Sequence, residues 1–124
     1  MKFRAIILCC LAVISCQEKP IDFPNGFQLR RDAGGSTYLN KSTGFKLIPD
    51  PVSQFCFREH CLYGWIDNKE ESFFFLDTDT GKLTLFANWD EIDDFLIKRG
   101  FPRLSMKDSF TYLDIKTGYK KNPW

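Results

Sequence analysis

Between residues 27 and 86 the chain breaks into seven short runs dominated by aromatic and β-branched residues: 27–31, 37–40, 45–48, 54–57, 61–67, 72–77 and 82–86. Stretches such as Asp32-Ala33-Gly34-Gly35, Pro49-Asp50-Pro51 and Asp67-Asn68-Lys69-Glu70-Glu71 separate them. Aromatic and β-branched side chains suit a pleated, half-buried surface, and Gly, Pro and Asx residues suit the turns between strands. Connections this short join antiparallel neighbours, because a parallel crossover needs roughly a dozen residues or more. The chain is therefore expected to be an α+β domain, mostly β, built on an antiparallel meander of about six to eight short strands.

One helix interrupts this pattern, over residues 89–99. Asn88 can cap its start and Glu91 completes a pair resembling a capping box. Asp90, Glu91, Asp93 and Asp94 favour the positive end of the helix dipole, and Gly100 is a natural stop. Trp89, Ile92, Phe95 and Leu96 fall at helical spacing and give one apolar face to pack on the sheet. The acidic cluster reads as a solvated helix face. A final hairpin is expected from residues 109–114 and 119–121. Alternation sends Phe73 and Phe75 to one side of their strand and Phe74 to the other. Phe74 is thereby a candidate for an exposed apolar partner contact.

The first fifteen residues have the anatomy of a signal peptide. Lys2 and Arg4 form a positive start, residues 5–13 (AIILCCLAV) a compact apolar run, and Val13-Ile14-Ser15-Cys16 its end. The run is too short to span a bilayer, which needs about 20 apolar residues. This ending resembles a bacterial lipobox. The resemblance covers the N-terminus alone and implies cleavage before Cys16, lipidation of Cys16, and a lipid bilayer as the first partner. Several acyl chains together hold a protein stably on a membrane. Gln17, rather than Asp, follows the cysteine. In a Gram-negative host that implies an outer-membrane protein of the cell envelope facing the periplasm. The expected organisation is a signal peptide over 1–15, a lipidated tether over 16–24 and a single small domain over 25–124. Removing residues 1–15 leaves 109 of the 124 residues and turns the net charge from +1 to −1. That suffices for one core, and no basic stripe marks a nucleic-acid partner.

Of the 5 cysteines, Cys9 and Cys10 leave with the signal and Cys16 carries lipid. Cys56 and Cys61 remain, flanking Phe57-Arg58-Glu59-His60 between two strand-like runs. Thiols of an exported domain tend to pair, and a tight hairpin would bring these two within reach. A Cys56–Cys61 disulfide is therefore expected, worth about 2 kcal/mol for so short a loop and serving to fix its shape. A thioredoxin-type redox site needs a two-residue spacer at a helix start. A zinc site needs four ligands, and His60 is the only histidine. No metal and no cofactor is expected.

Three segments, 38–44, 75–81 and 112–118, share the pattern aromatic-Leu-Asx-x-x-Thr-Gly, and Leu39, Leu76 and Leu113 recur at 37-residue intervals. Each reads as a strand entering a turn, with Asx capping the backbone and Gly closing it. Three copies are too few for the usual propeller ring. Asp77-Thr78-Asp79-Thr80-Gly81 also faintly resembles a calcium loop, but Gly81 comes early and Asn88 stands where the terminal Glu belongs.

No nucleophile elbow, phosphate-cradling glycine loop or recognised triad spacing appears. The expected role is a non-enzymatic, membrane-anchored protein that binds another protein. By size and address it resembles small immunity and inhibitor lipoproteins, which implies a toxin or effector as partner. An accessory subunit of an envelope complex and a small wall- or glycan-active hydrolase are the alternatives. The loop Phe57, Arg58, Glu59 and His60 is the candidate contact. A stapled hairpin lowers the entropic cost of binding, and aromatic and arginine side chains are enriched at hot spots.

Overall fold

A computed structural model describes residues 19–119. Among the described residues the domain is mostly β, with seven antiparallel strands in two sheets and two α-helices. Strands β1 (Ile21–Phe23), β2 (Phe27–Arg31) and β3 (Thr37–Lys41) form the smaller sheet in that order. The larger sheet runs β4 (Val52–Arg58), β5 (Cys61–Ile66), β6 (Phe73–Asp77) and β7 (Leu83–Phe86). Helix α1 (Trp89–Lys98) follows, and a short helix α2 (Tyr112–Lys116) comes near the end. The expected meander thus divides at residues 42–51 into two sheets that pack on each other.

The larger sheet is buried on both faces, and strict alternation assigns its side chains. Leu62, Phe74 and Leu76 face the smaller sheet and join Phe23, Leu29 and Leu39 in one core. Tyr63, Phe73, Phe75 and Phe86 face α1 and join Ile92, Leu96 and Phe101 in a second. A strand covered on both sides has no solvent face and so carries a continuous apolar run. Hence Phe73, Phe74 and Phe75 are all buried. Phe74 is 0% exposed, which corrects its reading as a partner contact: the smaller sheet covers the face that α1 leaves open.

Two local features fit β4 and β5 together. The register shifts between Val52 and Gln54, a bulge that lets both Val52 and Phe55 point into the same core although three positions apart. Gly64 lies opposite Phe55, where a Cβ would collide with the Gln54 carbonyl oxygen and sit 2.8 Å from the Phe55 Cα. Only glycine admits this approach.

Helix α1 starts as its sequence dictates. The Asn88 side chain accepts from the Glu91 amide at 3.0 Å, and the Glu91 carboxylate reaches back to the Ala87 amide at 3.1 Å. The Arg99 guanidinium lies over the rings of Phe75 and Phe95, a cation–π contact with the second core.

Four expectations need correction. The tether does not extend to Pro24: Ile21 and Phe23 are buried core residues of β1, because their alternation matches β2. Residues 45–48 form a single bridge, Asn40 with Lys46, rather than a strand. The C-terminal hairpin is absent over the described part of its span. Phe110 instead exchanges two backbone hydrogen bonds with Phe55, covering part of the β4 edge, and α2 follows at once. Thr111 and Asp114 make a reciprocal capping box that starts this helix. The third copy of the 37-residue pattern is therefore a helix with Gly118 beyond its end, whereas the first two are strand-to-turn elements.

Candidate functional site

Four turns gather at one end of the domain: 24–26, 42–44, 59–60 and 78–81. The register places them there, since Phe23 pairs with Phe27, Phe27 with Lys41, Arg58 with Cys61, and Cys61 with Asp77. Hydrogen bonds link all four, the Ser42 amide donating to the Gly26 carbonyl at 2.7 Å. The Asn25 amide group donates to the Thr78 carbonyl at 2.9 Å and to Asp79 Oδ1 at 3.1 Å. His60 Nδ1 lies 3.1 Å from the same Asp79 oxygen. The Thr78 amide and hydroxyl both donate to the His60 carbonyl.

The local conformations come from the turn chemistry. A two-residue hairpin loop that follows the right-handed twist needs positive φ at both central positions. Glu59 and His60 occupy them with φ of 49° and 63°. Asn25 has φ 63°, tolerated because Asn visits this region more readily than most residues. These three are the only non-glycine residues with positive φ among the described residues, and all lie in this one cluster. Asp77 Oδ1 accepts from the amides of Asp79 and Thr80, fixing the third turn. Backbone held in sparsely populated regions persists where the surroundings over-determine it, and such sites concentrate at functional surfaces. Here Asp79 and Thr78 supply the constraint. Because Asp77 spends its oxygen on turn amides, the 77–81 segment is built as a capped turn. Among the described residues no group of three His, Cys, Asp or Glu side chains comes together in a way suited to a metal ion.

The sequence-derived contact loop is divided by this geometry. Arg58, Glu59 and His60 are exposed. Phe57 is half-buried and turns inward, its ring 5.1 Å from Phe23. Beside the loop, on the α1 side, a cleft of about 200 Å³ is lined by Cys56, Arg58, Tyr63, Arg103 and Asp108 among others. The exposed end thus offers guanidinium and imidazole groups beside carboxylates on a fixed backbone. That set suits polar contact with a protein surface.

Cys56 and Cys61 are not joined to each other, and both thiols are buried. The expected disulfide is corrected on this point. The two-residue loop pairs Arg58 with Cys61 and Cys56 with Tyr63, so the cysteines sit diagonally. Diagonal neighbours lie about 7–8 Å apart, beyond the usual Cα separation of a disulfide. The loop is held instead by Asp79 and Thr78. Burial, reinforced by the Asp77 charge, pushes the Cys61 thiol up to about 11. Burial likewise raises the Tyr63 phenol to about 12. Cys16 lies outside the described residues.

Sequence alone does not assign Asn25, Thr78 and Asp79 to one site, since they meet only through the fold. The only local signal was the positive-φ chemistry of Asn-Gly at 25–26 and the Asx-rich turn at 77–81. No family model matches the chain, and comparisons with curated proteins and with solved structures return no significant similarity.

Proposed function

We propose that this chain is a non-enzymatic lipoprotein of the cell envelope, anchored through Cys16, that binds another protein with the end of the domain bearing Arg58, Glu59, His60 and Asp79. The partner is a secreted toxin, a lysozyme-like enzyme or an incoming effector, from which the protein protects its cell. One observation carries the reading: the three positive-φ non-glycine residues converge on one exposed hydrogen-bonded cluster. A surface organised before binding loses little conformational entropy when a partner docks. Anchoring rests on the lipobox-like ending at Cys16.

Two measurements test it. Cys16→Ala is expected to move the protein from the membrane pellet to the soluble fraction, or to block its processing. A mutant that matures normally and stays in the pellet contradicts the anchor. For the binding role, the domain is offered to envelope and culture fractions, with the Arg58→Ala/His60→Ala variant as matched bait. A protein retained by the native domain and released by the variant is the expected result. Identical retention by both contradicts this surface.

A further inference from the structure

The chain enters the fold at the end opposite the turn cluster. The Tyr112 hydroxyl donates to the Lys19 carbonyl at 2.9 Å, and Tyr112 is buried. Three peptide steps separate Lys19 from Cys16, a reach of at most about 11 Å. The same end holds an open cleft of about 450 Å³ where the two sheets diverge, lined by Arg31, Val52, Trp65, Ile66, Tyr112 and Leu113 among others. Leu113 is 48% exposed there. Trp89 is 39% exposed and meets the Trp65 ring at 5.6 Å, edge to face. Trp89, Trp65 and Leu113 thus lie at the same end of the domain as Tyr112, which binds the entering segment at Lys19. Strand β4 spans six residue steps, so the turn cluster lies about 20 Å farther away.

We infer that this end is a membrane-facing surface. With Cys16 lipidated, Trp89 and Leu113 rest at the bilayer interface and the turn cluster points away from it. Indole rings favour the headgroup level, where one side is apolar and the other wet. The neighbouring turns mix charges, Arg31 and Lys69 beside Asp67, Glu70 and Glu71. The surface therefore fits a zwitterionic bilayer rather than an anionic one. This inference rests on lipidation of Cys16, as proposed above.

The test uses the full lipidated chain in phosphatidylcholine vesicles, with and without bromine on the lipid acyl chains close to the headgroup. Two single-tryptophan reporters are compared. One retains Trp89 through Trp65→Phe and Trp124→Phe. The other carries Phe45→Trp with all three native tryptophans replaced by Phe. Phe45 is exposed and lies beside the turn at 42–44, so it reports on the far end. Trp89 is expected to lose emission in brominated vesicles while the Phe45→Trp reporter does not. Hydrogen exchange on the unmutated lipidated protein is the second readout. Vesicles are expected to slow exchange in 67–72 and 112–118 and leave 78–81 unchanged. Protein that floats with vesicles but shows neither effect, or shows both at the far end, overturns the orientation while leaving the anchor standing. Cys16→Ala protein that floats equally well overturns the anchor, and the orientation with it.

Discussion

The carbonyl of His60 accepts two hydrogen bonds from Thr78, one from its amide at 3.0 Å and one from its hydroxyl at 2.6 Å. Thr78 is 1% exposed, so the pair is a shielded tie between the tips of two hairpins. It sits directly beneath the exposed His60–Asp79 pair. An exposed contact of that kind contributes little on its own, about 0–1 kcal/mol even between full charges. The buried tie beneath it is what holds the tip in place.

Thr78→Val keeps the shape and removes the hydroxyl. The amide bond to His60 remains, so the cost is expected to be about 1 kcal/mol in chemical denaturation. Hydrogen exchange at residues 59–61 and 78–81 should accelerate more than in β6. Uniform acceleration across the sheet would mean the tie is global rather than local.

Gly64→Ala should be severe. The added methyl meets backbone of β4, which cannot move aside as a flexible side chain could. Overpacking of a core typically costs about 1–3 kcal/mol, and a backbone collision belongs at or above the upper end. A denaturation midpoint close to that of the native protein would show that the β4 bulge relaxes freely.

Phe74→Ala separates a core role from a contact role. The ring lies between the sheets, so its removal leaves a cavity and should cost about 3–5 kcal/mol. A loss of partner binding at unchanged stability would return Phe74 to the surface.

The sequence was legible wherever the signal was local. Asn88 and Glu91 marked the start of α1, and alternating apolar residues marked β2, β3 and the strands of the larger sheet. The failures have physical causes. Burial of Phe74 depends on a second sheet, and nothing in the 72–77 run shows what lies above it. Ile21 and Phe23 alternate like core residues but follow a polar, proline-bearing stretch, and only pairing with β2 reveals them as a strand. Thr111 and Asp114 did carry a readable capping signal, overshadowed by the repeated pattern that suggested a strand. The candidate site was half legible. Arg58, Glu59 and His60 stood out beside the cysteines, whereas Asn25 and Asp79 meet across 54 residues of sequence.

Alkaline pH should destabilise the domain. Cys61 and Tyr63 have folded pKa values raised, from 9.0 to about 11 and from 10.0 to about 12, because burial disfavours their charged forms. The unfolded chain releases these protons first. Stability is therefore full below pH 9, falls as pH rises through the two intervals, and has lost this contribution above the folded values. Denaturation midpoints measured from pH 8 to 12 should decline over that window. Cys61→Ala should make the decline shallower at its lower end.

Whether the tip of the domain is the binding surface is decided by the affinity of the lipid-free domain for its captured partner, measured by calorimetry for the native chain and for Arg58→Ala/His60→Ala. The expected result is a melting temperature close to native and binding at least about tenfold weaker, as when arginine and its neighbour are removed from an interface centre. A well-folded double variant that binds with native affinity would contradict it.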